Sequence, residues 1–179
     1  MFISLVRKRR SIRKYLEKPI EGEKIDILIE AALCAPSSRG FQPWSFIIVT
    51  DPAILEKLSR SKEHGSAFLK GAPLGIVVCA DPGKSDVWVE DASIAAILVQ
   101  LAAESIGLGS CWIQIRERMH DPNRTAEAHV SDLLNFPANL KVACIIAVGY
   151  PAEEKAPHKK ENLLYEKVHQ GSFGNPFQG

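Results

Sequence analysis

The sequence has no Cys-x-x-Cys pair: Cys34, Cys79, Cys111 and Cys144 stand more than thirty residues apart. That spacing excludes a clustered zinc ligand set and a redox dithiol, and predicts small buried hydrophobes in a reducing compartment. Net charge is also nearly absent. With 22 Lys and Arg against 21 Asp and Glu the formal charge is +1, so no whole-molecule field draws the chain to nucleic acid or an anionic membrane. Aromatics make up 7%, too few for the stacking surface of a nucleic-acid module. The longest apolar stretch, residues 92–106, is broken by Ser93, Gln100, Glu104 and Ser105 and does not read as a membrane span. The N-terminal Met1-Phe2-Ile3-Ser4-Leu5-Val6 turns basic at once, the reverse of a signal peptide. A cytoplasmic protein is expected, and on it the acceptor-like Asn123-Arg124-Thr125 is idle.

The common catalytic signatures are missing too. There is no Gly-x-Ser-x-Gly elbow, His-Glu-x-x-His, Walker loop or Gly-x-Gly-x-x-Gly, so neither an activated protein nucleophile nor a metal site is expected. Gly107-Leu108-Gly109 has half of a dinucleotide fingerprint, but it follows a helix-like block and not a strand. The five histidines are scattered, and His129 reads as a surface residue.

What remains is an ordinary globular composition. At 179 residues, 46% hydrophobic and 24% charged, the chain is the size of one domain, able to bury roughly 70% of its unfolded surface without disulfides or metal. No repeat, low-complexity tract or internal linker divides it. Hydrophobic periodicity and breakers predict helices over 2–9, 23–34, 53–61, 86–106 and 125–134, and strands over 45–50, 74–80, 110–115 and 142–148. The run 74–80 is apolar throughout, as in a sheet covered on both faces. The block 86–106 is apolar nearly all round, which predicts a helix buried centrally or at a subunit interface. Beyond Pro151 the sequence turns polar and irregular, a tail that wraps the domain or a partner.

One segment departs from the even charge. Through residue 24 there are eight Lys or Arg against three Asp or Glu, concentrated in Arg7-Lys8-Arg9-Arg10-Ser11-Ile12-Arg13-Lys14. Such an octamer is a solvated charge run, a nucleic-acid arm or an anion site; in the last case guanidinium forks and a Ser hydroxyl grip a phosphate monoester. The loop from Ala35 to Ser45 crowds hydroxyls, an amide, Arg39 and Trp44 into a turn-rich stretch.

Taken together, Arg9-Arg10-Ser11-Ile12-Arg13, Pro36-Ser37-Ser38 with Gln42-Pro43-Trp44, Gly71-Ala72-Pro73, Gly107-Leu108-Gly109-Ser110-Cys111-Trp112 and Gly149-Tyr150-Pro151 resemble the nitroreductase family of flavin enzymes. The resemblance runs through nearly the whole chain. It implies an α+β fold, with a central, mostly antiparallel sheet flanked by helices and a long buried helix in an intertwined homodimer. Residues 1–179 would form a single FMN-binding domain, with 152–179 as an extended C-terminal tail. FMN would sit at the dimer interface, touched by Arg9, Arg10, Ser11 and Arg13, with Lys159 or Lys160 completing the phosphate site. Trp112, Ile113 and Gln114 would run along the flavin ring, and Pro36, Ser37, Ser38 and Gln42 would come from the second subunit. Gly40 stands where many relatives carry Asn, and the chain lacks room for the additional helical excursion of larger members, which implies a more open substrate site.

The resemblance further implies that NADH or NADPH reduces the flavin and a small electron-poor acceptor, a nitroaromatic or a quinone, then takes the electrons in ping-pong order. No catalytic protein residue is required, because the cofactor carries the chemistry. A cation such as Arg13 beside the ring would raise its potential. The same fold also implies alternatives: reductive dehalogenation, dehydrogenation, flavin fragmentation, or flavin binding with little turnover.

Overall fold

The computed structural model describes residues 1–177; Gln178 and Gly179, the end of the expected tail, lie outside the described residues. Five helices run at α1 (Phe2–Lys8), α2 (Gly22–Leu33), α3 (Pro52–Ser59), α4 (Trp88–Ser105) and α5 (Ala126–Leu133). The strands are β1 (Trp44–Val49), β2 (Leu74–Ala80), β3 (Gly109–Gln114), β4 (Met119–Asp121), β5 (Arg124–Thr125) and β6 (Lys141–Gly149). The main sheet has the order β1-β2-β6-β3, with each pair antiparallel. This is the expected α+β arrangement.

Strand residues alternate between two cores. Ile76, Val78, Cys144, Ile146 and Val148 face α2 and α4, whereas Val77, Ile145, Ala147, Ile113 and Ile115 face α3 and α5. Both sides of the sheet are therefore covered, which is why its central strands carry no polar alternation. Helix α3 starts where Asp51 accepts the Ala53 amide at 2.7 Å, with Pro52 in its first turn, and α5 starts at the Thr125 hydroxyl, which accepts from Ala128 N–H at 3.1 Å.

Of the two expectations for α4, central burial holds for one face only within a single chain. Ala92, Ala95, Ala96, Val99 and Ala103 are buried against the sheet, while Ile94 and Ile97 are each 39% exposed. Alanines let the helix approach the sheet closely, and its larger apolar side chains are left facing outward. Cys34 is a second correction: it is exposed just beyond α2, whose buried stripe is carried by Leu28 and Ala32. The β4–β5 hairpin has no sequence expectation because its strands are too short to show a period. Its turn is Asp121-Pro122-Asn123, where the Asp121 carboxylate accepts the Asn123 amide at 2.8 Å. The hairpin is laid against α5 by the stacked rings of His120 and His129, 4.0 Å apart, so His129 is partly covered.

The segment after α1 runs beside β3, where Ser11 and Ser110 form a parallel bridge and Ile12 N–H donates to Ser110 C=O at 3.0 Å. Farther on, Leu16 N–H donates to Tyr150 C=O at 2.9 Å, at the end of β6. Close packing at this junction demands glycine. A Cβ on Gly149 would lie 2.6 Å from Pro73 Cδ and 2.8 Å from the Tyr15 ring, and neither ring can step aside. Gly149→Ala is expected to destabilise the fold by about 1–3 kcal/mol; a urea midpoint equal to that of the parent chain would contradict this.

Candidate functional site

Helix α1 ends when Arg9 turns extended, at φ −55° and ψ 121°, and so delivers Arg9, Arg10, Ser11 and Arg13 along the outer edge of β3. Strand β3 pairs with β6 on one side, and on the other the N-terminal segment meets it through the single bridge at Ser110. The Arg13 guanidinium lies 5.8 Å from the centroid of the Phe68 ring. Burial pushes the Cys111 thiol up, and Arg13, Ser11, Lys155 and Arg9 around it pull the other way, which places these four groups about one strand residue. Among the described residues, Arg9, Arg10, Arg13, Lys159 and Lys160 pair with no carboxylate. Cations left without counter-charge are available to an anion.

The C-terminal tail returns along the same segment. Ala152 N–H donates to Lys14 C=O and His158 N–H to Arg7 C=O, both at 2.9 Å, with an antiparallel bridge between Tyr15 and Pro151. The His158 bond leaves Lys159 and Lys160 next along the chain, exposed at the C-terminal end of α1. The structure thus brings Arg9, Arg10, Ser11, Arg13, Lys159 and Lys160 to one end of the molecule.

Along β3 the three expected residues divide. Trp112 and Gln114 are partly exposed and linked, with Trp112 Nε1–H donating to Gln114 Oε1 at 2.9 Å and Gln114 Nε2–H to Arg116 C=O at 2.8 Å. Ile113 is fully buried in the core with α3 and α5, so only its backbone is free to meet a ligand. The backbone of Trp112–Gln114 continues along the edge of β3 from Ser110, where the N-terminal segment meets it.

Pro36, Ser37, Ser38 and Gln42 lie elsewhere. Their loop is tied to the first turn of α4, where the 2% exposed Asp91 accepts from Ser38 N–H and from the Ser85 hydroxyl, both at 2.8 Å. The Ser37 hydroxyl accepts the Gln42 amide at 2.8 Å. Arg39 and Gln42 hold left-handed φ of 51° and 47° beside Gly40 at 70°, a strained turn that side-chain residues occupy at a cost of about 1–3 kcal/mol each. The basic segment, in contrast, is tied to the last turn of α4 by the Lys8–Glu104 ion pair at 3.2 Å. Thirteen residues of helix separate Asp91 from Glu104, about 20 Å at the α-helical rise. Within one chain the two predicted halves do not meet.

Two neighbours of the site went unseen in the sequence. Lys62 is half-buried, with its ammonium pushed down by burial and then by Arg118, and Phe68 lies under Arg13. Both fall in a stretch without periodicity, so only the folded chain reveals them. A surface cavity of about 470 Å³ takes in Arg10, with Lys8, Glu104, Gly109, Glu153 and Lys155 also in its wall. It includes no other predicted site residue and lies at the α4 C-terminus. Among the described residues no cluster of His, Cys, Asp and Glu could hold a metal ion, and no helix is long and apolar enough to cross a membrane.

The sequence matches the model of the nitroreductase family over residues 6–64 and 59–150. The chain is similar to the solved structure of an FMN-dependent nitroreductase from Clostridium difficile R20291, with 49% identity, 96% of this chain and 99% of that one covered, and a TM-score of 0.94. It is similar to an FMN reductase [NAD(P)H] of Bacillus subtilis, 30% identical over 93% of this chain and 72% of the relative. The NADPH:FMN oxidoreductase of Vibrio harveyi, solved with NAD+, superposes with a TM-score of 0.79 at 26% identity, over 96% of this chain and 77% of that one.

Asp91 is the anchor of the Pro36–Gln42 loop. Asp91→Ala leaves the half-buried Ser38 amide and the buried Ser85 hydroxyl without an acceptor, which costs about 1–3 kcal/mol for the buried hydroxyl and less for the amide, which water can reach. Hydrogen exchange across residues 36–42 is expected to quicken in that variant; unchanged protection would show that the loop is held by other contacts.

Proposed function

Since the chain belongs to the nitroreductase family, we propose that it is an FMN-dependent oxidoreductase carrying electrons from NADH or NADPH to nitroaromatics, quinones or similar electron-poor acceptors. The observation that supports this most directly is the meeting of uncompensated Arg9, Arg10 and Arg13 with the open edge of β3 at Trp112–Gln114. FMN fits that pairing: a dianionic phosphate needs clustered cations without acidic partners, and a flat ring needs a strand edge with free backbone groups beside it.

When bound, FMN would supply the redox chemistry between the nicotinamide and the acceptor, the two substrates using one pocket in ping-pong order. The chain binds and orients. Arg9, Arg10 and Ser11, with Lys159 or Lys160, hold the phosphate. Arg13, kept over Phe68, would present positive charge to the bound cofactor and favour its electron-rich state. Trp112, Gln114 and the Ile113 backbone line the ring. No side chain is needed as nucleophile or general base, which agrees with the lack of such motifs.

The loop Pro36, Ser37, Ser38 and Gln42 reaches the ring from a second copy of the chain, forming a homodimer with FMN at the interface. The separation of about 20 Å within one chain supports this. So do apolar side chains left outward on α1 (Phe2, Ile3), on α4 (Ile94, Ile97) and on the tail, where Phe173 is 93% exposed. The tail from residue 152 is an extension of one FMN-binding domain: residues 152–158 run along the chain's own Arg7–Lys14, and the part beyond them lies over the partner. We place the enzyme in the cytoplasm, whose reducing conditions suit four free thiols.

The purified protein is expected to be yellow, and anaerobic NADH or NADPH should bleach the flavin band. A colourless protein that ignores added FMN would sink the proposal. Replacing Arg9 and Arg10 by Ala removes charge-assisted bonds worth about 1.5–3 kcal/mol each, so FMN binding should weaken about tenfold or more; unchanged affinity would place the phosphate elsewhere.

A further inference from the structure

We propose that Glu153, with Lys155, is a positioning residue for the flavin site: a strap across the back of Ser11–Lys14 that sets the geometry in which the arginines meet FMN. This rests on the FMN-binding role proposed above, and it concerns residues for which composition offers no hint.

One carboxylate oxygen, Glu153 Oε1, accepts from two successive backbone amides, Arg13 N–H at 2.6 Å and Lys14 N–H at 3.3 Å. The Lys155 ammonium donates to Ser11 C=O at 2.5 Å and lies 3.6 Å from the same Glu153 oxygen. Between them the two side chains tie the peptide groups of Ser11, Arg13 and Lys14. The Arg10 guanidinium donates to the carbonyl of Ala156, and Ala152 N–H donates to Lys14 C=O at 2.9 Å. The segment needs such ties, because its backbone otherwise has the bridges at Ser11 and Tyr15, the second of which includes the Ala152–Lys14 bond, and the Tyr15 hydroxyl donating to Ile12 C=O at 2.5 Å. Without them each residue of Ser11–Lys14 would be free to sample other conformations, and a ligand would have to order the chain as it bound.

The sign of the charge makes the assignment informative. A carboxylate beside an anion site would, through its field alone, oppose phosphate binding. Here its charge is turned onto two amides and an ammonium, which holds the Glu153 carboxyl below the usual carboxylate range, the Arg13 amide being the largest cause. Simple repulsion and positioning therefore predict opposite responses. If repulsion governs, Glu153→Gln and Glu153→Ala both tighten FMN. If positioning governs, Glu153→Ala weakens it and Glu153→Gln, whose amide oxygen can still accept from Arg13 N–H, largely restores it.

The test is an FMN titration of the full chain and its variants by fluorescence, with hydrogen exchange of residues 9–16 before cofactor addition. Glu153→Ala is expected to raise the FMN dissociation constant at least about tenfold and to speed exchange at Arg13 and Lys14. Lys155→Ala should shift both readouts the same way by less, and serves if Glu153→Ala does not fold. Because part of the strap's effect is exerted through the Arg13 side chain, the double variant Glu153→Ala with Arg13→Ala should lose less affinity than the two single losses combined. Additive losses, tighter binding, or FMN affinity within twofold of the parent would overturn the assignment. A parent chain that never takes up FMN overturns both proposals; a parent that binds while Glu153→Ala binds equally overturns the strap alone.

Discussion

Arginines repel one another, and a flexible run of them gathers around an anion only at the cost of its own ordering. The site depends on a remedy for this: the basic segment is fixed as a short extra strand, joined to the edge of β3 at Ser110 and to the returning tail at Tyr150–Ala152. Both joints are backbone hydrogen bonds, so they constrain position without consuming the guanidinium groups. The tail supplies its own charged pair, Glu153 and Lys155, to the peptide groups. The cations that face outward stay free, while the backbone behind them is satisfied.

The sheet explains why this happens at β3. Strands β2 and β6 are enclosed by partners on both sides and by helices on both faces, so their residues can serve only packing. Ligand chemistry is left to the edges. Strand β1 forms one edge and β3 the other, and α4, lying across the sheet, ties the Pro36–Gln42 loop to its first turn and the basic segment to its last through Asp91 and Glu104. The same helix thus spaces the two halves of the proposed site and supplies part of the outward apolar surface.

Much of this was legible in the sequence because it depends on local signals. Continuous apolar runs such as 74–80 and 142–148 announce strands covered on both faces, and Asp51-Pro52 announces a helix start. The order of Arg9-Arg10-Ser11, Pro36-Ser37-Ser38 and Trp112 then pointed to a family and, through it, to an antiparallel sheet. Three kinds of feature were hidden. The β4–β5 hairpin is too short for a period, Cys34 looked like core because composition cannot tell the last turn of a helix from the residue just past it, and the outward turn of Ile94 and Ile97 depends on which face of α4 the sheet selects. Lys62, Phe68 and Glu153 join the site through long-range folding alone, with 140 residues separating Glu153 from Arg13.

The distribution of apolar surface then bears on the proposal that one chain carries half a site at each end of α4. An enzyme whose ligand groups lay side by side would have no need to leave isoleucines outward at 39% exposure on the helix that divides them. Burying such side chains stabilises an interface by about 25 cal/mol per Å², and a twofold axis perpendicular to α4 would place the first turn of one copy toward the far end of its counterpart. Antiparallel crossing of two α4 helices would carry the Ser37–Gln42 loop of one copy over the helix-length gap to the Arg9–Arg13 segment of the other. In the proposed dimer the alanine-rich inner stripe of α4 and its larger outward residues would be two parts of one arrangement: small side chains seat the helix on its own sheet, and large ones would hold the second copy.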